Sequence, residues 1–285
     1  MPVSTWAVAE PRKLAFEEPV TALKVRVVNG TVNVVGTDEP TARLEVSAIE
    51  GPPLVVTQED GVLTVAYEDL AWQNLLKWFD RKEWRRTAVL SLAVPAGSSV
   101  EVGVVGAGAF VSGIRGRTEV RGVTGDTTLV KLSGPVGAET VSGSIEAQSV
   151  TGDLRFKSVS GELTVVEGAG ASVKAESVSG GMVLDLEPAG KPTDIRLTTV
   201  SGEIAIRLPH PADARVEANT ASGSVSNGFE DLRVSGQWGA KKITGTLGSG
   251  TGTLKATTVS GSIALLRRPP AEEEPYDVEP TGKVL

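Results

Sequence analysis

The scarcest reactive side chains set the first limit on what this chain can do. Its 285 residues contain one histidine, His210, and no cysteine. Thiol nucleophiles, disulfides, zinc fingers, iron–sulfur clusters and multi-histidine metal sites are therefore excluded. His210 lies between prolines in Leu208-Pro209-His210-Pro211, a rigid loop setting. A Ser–His–Asp triad needs an acid to orient the imidazole, and Asp213 is too close in sequence to serve. Acids follow several glycines (Asp126, Asp153, Glu162, Glu203), but Pro135, Ser144, Gly181, Ser224, Thr246 and Ser262 hold the same place elsewhere. Calcium needs about six to eight oxygens, which so irregular a set does not supply. Glycoside hydrolysis needs two carboxylates about 5–10 Å apart across a bond. Asp153 and Glu162 are one repeat unit apart and are expected on opposite faces. Aromatic sugar platforms are scarce: after Phe110 only Phe156, Phe229, Trp238 and Tyr276 remain. No enzyme activity, cofactor or metal is expected.

One block stands out chemically. Residues 70–86 read LAWQNLLKWFDRKEWRR and hold three of the five tryptophans. Leu75, Trp78 and Phe79 fall at helical spacing, with Trp72 one turn earlier. The block carries five basic residues against two acidic ones, in a chain whose net charge is −7. Two readings fit. A short helix here covers an open strand edge, or the block contacts an anionic membrane or a partner through Trp72, Lys77, Trp78, Phe79, Arg81, Lys82, Trp84, Arg85 and Arg86. Nucleic acid is not an expected partner, because phosphate demands a basic footprint that an acidic chain lacks.

The elements that must position these groups are announced by a repeat. Val-Ser-Gly and its variants recur, with Gly125, Gly134, Gly143, Gly152 and Gly161 nine residues apart. The motif continues at Gly180, Gly202, Gly223, Gly236, Gly245 and Gly261, mostly at wider steps. Counting the Val as position zero, apolar residues recur at plus four and plus six: Ile145 and Ala147, Leu154 and Phe156, Leu163 and Val165, Ile204 and Ile206, Ile263 and Leu265. Spacing of two means a strand with one buried face. Arg155, Lys157, Thr164 and Arg207 alternate with them as outward residues. A further apolar residue three before the Val marks a bend between strands. The glycines (Gly125, Gly134, Gly143, Gly152, Gly161, Gly180, Gly202, Gly223, Gly245, Gly261) are expected at the turns, where positive φ is cheapest for glycine.

Strands of five or six residues joined by bends at a constant period make a coiled solenoid. The fold class is all-β, a parallel β-solenoid with an N-terminal strand region. Each coil takes about 18–22 residues, and equivalent Val residues are expected to stack about 4.8 Å apart along an aliphatic interior. Ser and Thr before each Gly form hydroxyl ladders. Residues 99–266 give about eight coils and a rod of about 40 Å. Aromatics are 4% of the chain, in keeping with a thin interior.

The remaining segments complete the plan. Residues 1–14 are an N-terminal extension, and residues 15–98 form strands around Leu23-Val27, Val32-Val34, Leu44-Val46, Leu54-Val56, Leu63-Val65 and Thr87-Pro95. Asn29-Gly30 and Asp60-Gly61 are turn signals between them. Residues 267–285, rich in Pro and Glu, read as a disordered tail. No apolar run is long enough for a transmembrane helix, and the N-terminus lacks secretory features. The expectation is a cytoplasmic protein, or a cell-surface one if a leader was removed.

The Val-Ser-Gly units, the Val94-Pro95-Ala96-Gly97 step before them, the Leu208-Pro209 step leading into Ala221-Ser222-Gly223, and the segment Val28-Asn29-Gly30-Thr31-Val32 together resemble the bacterial "putative adhesin" β-strand-repeat domain of unknown function, over roughly residues 15–266. The resemblance implies a solenoid-like all-β domain with adhesion or envelope-stress roles and no catalytic residues. The expected function is a non-enzymatic scaffold or interaction module. Two alternatives accompany it: a membrane-associated envelope-stress component using residues 70–86, and a rod that self-assembles into filaments. The partners expected are a protein, a membrane surface or further copies of the chain.

Overall fold

The computed structural model describes residues 3–68, 86–188, 190–237 and 239–269. Every regular element among them is a β-strand, and the strands form two sheets: sheet A with 14 strands and sheet B with 12. From Ser99 onward the chain crosses from A to B and back. β9 (Ser99–Val104) leads to β10 (Gly108–Ser112), β11 (Thr118–Arg121) to β12 (Thr127–Val130), and β13 (Val136–Thr140) to β14 (Ile145–Gln148). β15 (Leu154–Ser158) leads to β16 (Leu163–Gly168), β17 (Ser172–Glu176) to β18 (Met182–Leu186), and β19 (Asp194–Thr198) to β20 (Ile204–Leu208). In each pair the first strand joins sheet A and the second sheet B, and successive pairs stack in parallel as rungs.

Register turns the sequence period into a core. Thr118, Val136, Leu154, Val173 and Ile195 share one line in sheet A. Thr127, Ile145, Leu163, Met182 and Ile204 share the facing line in sheet B. All ten are buried, as are the plus-four and plus-six residues named from the sequence. Phe156 is 1% exposed, and its neighbours in register are Ala138 and Ala175. A ring enters this narrow interior where the rungs above and below supply only a methyl group.

At both ends, sequence order and spatial order part. β25 (Gly252–Thr258) and β26 (Ile263–Arg267) stack directly on β19 and β20. β21 (Ala214–Thr220) and β22 (Val225–Asn227) precede them in the chain yet form the next rung out. Likewise β3 (Ala22–Val27) and β4 (Asn29–Thr37) stack on β9 and β10, with β7 (Val62–Tyr67) and β8 (Thr87–Pro95) outside them. The rungs from Ser99 to Arg267 number eight, and these two join them. Antiparallel strands then finish the ends. β6 (Leu54–Glu59) pairs with β7 and β5 (Arg43–Glu50) with β8; β1 (Ser4–Val8) and β2 (Arg12–Ala15) lie beyond them. β24 (Ala240–Leu247) and β23 (Leu232–Gln237) extend sheet A at the other end. Such additions leave short or charged edges, among them Arg12 and Lys13 of β2, which discourage pairing with another chain. The segment expected as an N-terminal extension thus carries β1 and most of β2.

Three sequence expectations need correction. First, Asp60-Gly61 closes the β6–β7 hairpin, but Asn29-Gly30 opens β4, where the chain passes from sheet A to sheet B. Second, the nine-residue period hides two unlike corners, so the true unit is 18 residues. At the B-to-A corner the first motif residue is inside: Ile114, Leu132 and Val150 are at most 3% exposed. The residue before each one, Gly113, Lys131 and Ser149, has positive φ. At the A-to-B corner the motif valines face water instead. Val141, Val159, Val178, Val200 and Val259 are between 43% and 51% exposed. The interior is built by the plus-four and plus-six residues, not by these valines. Their place inside the turn is taken by the hydroxyl residue preceding each: the Gly143 amide donates to Thr140 Oγ1 at 3.1 Å, Gly180 to Ser177 Oγ at 2.8 Å and Gly202 to Thr199 Oγ1 at 3.1 Å.

Third, most of the corner glycines are not there for positive φ. A Cβ on Gly143 would lie 2.1 Å from the Gly125 carbonyl oxygen; on Gly161, 2.2 Å from that of Gly143; on Gly180, 1.9 Å from that of Gly161; on Gly202, 2.0 Å from that of Gly180. Each rung's glycine is pressed against the backbone of the last. Gly134 and Gly152 form the same contact at the other corner. Gly245 lies at no corner: it sits within β24, because the Val234 and Ile243 units form the antiparallel β23–β24 hairpin.

Gly161→Ala is expected to destabilise the fold by about 3 kcal/mol through overpacking against backbone that cannot move aside. Gly97→Ala, where a Cβ meets nothing within 4 Å, is expected to stay within about 0.5 kcal/mol of the parent. Urea unfolding of both variants checks the contrast.

Candidate functional site

The residues that most need explaining are four cations in one line. On the outer side of sheet A, Gly137, Arg155, Lys174, Arg196, Lys255 and Glu217 are consecutive partners across neighbouring strands. Strand alternation fixes their direction: Leu154 and Phe156, Val173 and Ala175, Ile195 and Leu197, Leu254 and Ala256 all point inward, so the residue between each pair points out. Adjacent strands lie about 4.8 Å apart, so Arg155, Lys174, Arg196 and Lys255 span about 14 Å. Like charges directly opposite each other destabilise a sheet. The line is bounded by Glu119 and Gly137 on one side and Glu217 on the other, and no acid interrupts it.

Little within the described residues neutralises it. Arg155 and Lys174 have no ion pair among them. Arg196 Nε is 3.4 Å from Asp194 Oδ1, and Lys255 Nζ is 4.0 Å from Glu217 Oε2, which already holds Lys242 at 2.9 Å through its other oxygen. The Asp194 carboxyl is held below its ordinary range, first by the Thr253 hydroxyl and then by Arg196 and Lys174. Hydroxyls and charges flank the line: Ser172, Asp194 and Thr253 in the column before it, and Lys157, Glu176, Thr198 and Thr257 in the column after.

Four residues further along the same rungs stands the exposed valine ladder. Arg155 is followed by Val159, Lys174 by Val178, Arg196 by Val200 and Lys255 by Val259. Beside these valines the motif serines donate to the preceding rung, from Ser160 Oγ to the Val141 carbonyl at 3.3 Å and from Ser179 Oγ to the Val159 carbonyl at 3.3 Å. One side of the solenoid therefore carries a cationic line, hydroxyls and an aliphatic edge in fixed register. Sheet B differs. Its corresponding outward line runs Phe110, Thr128, Glu146, Thr164, Val183, Ala205 and Ala264, with one charge. Arg155 and Lys157 were legible as outward residues. Their alignment with Lys174, Arg196 and Lys255 was missed, although a basic residue four before Val in four units was a visible signal.

Other candidates do not assemble. Asp153 and Glu162 are exposed at opposite corners. Both ring nitrogens of His210 lie 3.1 Å from Arg267 Nη2, while Asp213 serves a different loop. Among the described residues no three acids or histidines cluster as metal ligands, and no helix is long and apolar enough to cross a membrane. A cavity of about 340 Å³ opens beside the B-to-A corner, walled by Leu186, Pro188, Pro192, Leu208 and Pro211. Its acids are engaged, Glu187 by Arg268 at 2.6 Å and Asp213 by Thr251 and Ser249. The Arg268 pair also ties down the first residues of the expected tail. Of the basic Trp block, Trp72, Lys77, Trp78, Phe79, Arg81, Lys82, Trp84 and Arg85 lie outside the described residues. Arg86 is described, and its guanidinium carbon sits 5.4 Å from the centre of the Tyr67 ring.

The Toastrack DUF4097 family matches residues 184–266. Over that stretch the family resemblance read from the Val-Ser-Gly units stands as a direct match. Similar solved structures include a putative cell adhesion protein from Clostridium sporogenes, 12% identical, covering 91% of this chain and 100% of that one, with a TM-score of 0.25. A putative lipid binding protein from Parabacteroides distasonis is 11% identical, with 92% and 98% covered and a TM-score of 0.43. A putative adhesin from Parabacteroides merdae is 10% identical, with 93% and 96% covered and a TM-score of 0.36. No curated protein matches the chain.

One titration reports on how the cavity wall is held. Asp213 accepts from the Thr251 hydroxyl at 2.6 Å, the Thr251 amide at 3.0 Å and Ser249 Oγ at 3.0 Å. These bonds, the Thr251 hydroxyl foremost, lower its pKa to about 2. A depressed carboxyl stabilises the fold above the ordinary Asp value, and that contribution is lost as pH falls through about 2. In a carboxyl-carbon NMR titration Asp213 is expected to titrate near 2, and Thr251→Val is expected to move it back toward the ordinary value.

Proposed function

We propose that this chain is a non-enzymatic, adhesin-like interaction scaffold whose binding surface is the outer side of sheet A. One observation carries the reading: the register places Arg155, Lys174, Arg196 and Lys255 in a single uninterrupted cationic line on an acidic protein. A charge arrangement that costs stability and builds no core is retained for what it contacts. The surface is flat and rigid, and every side chain on it is placed by strand alternation rather than by a mobile loop. Such a surface gains affinity by summing weak contacts along its length. The family match over residues 184–266 covers two of the four cations, Arg196 and Lys255.

A filament built by end-to-end stacking would have to pair the short β22 and the charged β2, so the ends favour it less than the side. Co-sedimentation of the full chain with washed bacterial cell envelopes tests the reading. Binding at low salt is expected, with loss of at least tenfold when Arg155, Lys174, Arg196 and Lys255 are all changed to Glu. Changing Lys13, Arg43, Arg115 and Arg117 to Glu gives the same net charge away from the line and is expected to leave binding near parental. Equal loss in both variants, or no sedimentation at all, overturns the assignment.

A further inference from the structure

We infer that the chain's own acidic run, Glu272-Glu273-Glu274, covers the cationic line in the free protein and must be displaced by whatever binds there. The inference deepens the interaction reading above and rests on it, since the run takes the same cations. Residues 270–285 lie outside the described residues; in sequence they hold Glu272, Glu273, Glu274, Asp277 and Glu279 against one cation, Lys283. The described chain stops where this run can reach the line. β26 ends at the B-to-A corner, and Arg268 is anchored there. Its amide donates to the Leu208 carbonyl at 3.0 Å, and its guanidinium meets Glu187 at 2.6 Å.

The spacing of the rungs carries the count onward. Ile145 and Leu163 share a row of sheet B, and Arg155 and Lys174 share the line in sheet A. Ten residues separate Ile145 from Arg155, and eleven separate Leu163 from Lys174. Ile263 stands in the same sheet B row; ten and eleven residues beyond it are Glu273 and Glu274. These residues cannot enter sheet A as a further strand, because the place beside β25 is held by β21. The outer face is the way left. The outward residues of β25 there are Thr253, Lys255 and Thr257, none of them acidic. Lys255 only shares Glu217 with Lys242, from 4.0 Å, and Lys174 has no ion pair among the described residues. On the corner side of Arg196 the acid is Asp194, and its carboxylate is engaged by the Thr253 hydroxyl and by Arg196. Each exposed ion pair is weak by itself. Tethering offsets this, because a segment joined by a short linker reaches an effective concentration on the order of millimolar.

The test compares the full chain with its variant Glu272→Gln, Glu273→Gln, Glu274→Gln. Amide NMR shifts of the two are expected to differ in β19 and β25, and the difference is expected to fade as salt is raised to about 0.5 M, where screening is nearly complete. Carbodiimide coupling of the parental monomer, read by peptide mass spectrometry, is expected to join the run to Lys255 or Lys174 in preference to the exposed Lys241. Sedimentation with washed envelopes at low salt is expected to rise about threefold or more in the variant, as a tethered competitor is removed. Changing Glu10, Glu17 and Glu18 to Gln removes the same charge elsewhere and is expected to leave sedimentation near parental. Coincident shifts in β19 and β25, coupling to Lys241 as frequent as to the line lysines, or an equal rise in the control variant each overturns the inference. Line contacts without envelope sedimentation in either form uphold the internal contact and remove the interaction reading. Line-dependent sedimentation with coincident shifts does the reverse.

Discussion

The structure depends on how closely its rungs approach at the corners. A glycine in one rung faces the carbonyl of a glycine in the rung below, and no side-chain atom fits between them. That contact lets the backbone turn from sheet A to sheet B without lifting the rungs out of hydrogen-bonding distance. The Ser160 amide reaches the Val141 carbonyl at 2.8 Å, and Thr151 reaches Leu132 at 2.9 Å, so the strand ladder continues around the bend. A larger residue would open the corner and cost the stacking on both sides of it. At the A-to-B corners of Gly143, Gly161 and Gly261, the buried or half-buried Thr or Ser three places earlier completes the turn by accepting the glycine amide. Its other duty is to the rung below, as when Thr220 donates to the Gly261 carbonyl at 2.9 Å.

Because the corners fix the register, the outer surface inherits it. Residues with no contact in the sequence become neighbours, and the two sides of the solenoid acquire different characters. Sheet A presents charge in lines; sheet B presents threonine, alanine and valine with isolated charges. Asp185 is an exception on the sheet B side. It is 8% exposed, and Arg207 forks onto both its oxygens, which lowers its pKa first through that hydrogen bonding and then through the nearby Arg268 charge. There an acid is matched to each cation. Along Arg155 and Lys174 it is not, and this contrast is what gives the line its meaning.

Much of this was written openly in the chain. The plus-four and plus-six positions named the core, from Ile145 and Ala147 to Ile263 and Leu265, because strand alternation admits one buried face. The strand around Thr87–Pro95 and the Asp60-Gly61 hairpin were equally plain. The valines were misread because hydrophobicity alone suggests burial, whereas at the A-to-B corner the hydroxyl just before each Val takes the inner place. Thr140, Ser158, Ser177, Thr199, Thr220 and Thr258 were the clue, visible once corners of two kinds are separated. The cationic line was harder to see. It depends on loop lengths that vary between rungs, from 18 residues between Val136 and Leu154 to 59 between Ile195 and Leu254, so no fixed period connects its members.

The exchanged order at the C-terminal end has a consequence for how the molecule is made. The strands of residues 252–267 are the last of the described rungs to be synthesised, yet they sit between β19/β20 and β21/β22. While they remain inside the ribosome, β21 to β24 have no surface to rest on, and the nascent stack ends in a gap. Emergence of that stretch closes the gap with a segment held at both sides, which completes the stack in one long-range event rather than by adding a coil at a time. Growth stops there, because the outermost position was occupied by a segment made earlier.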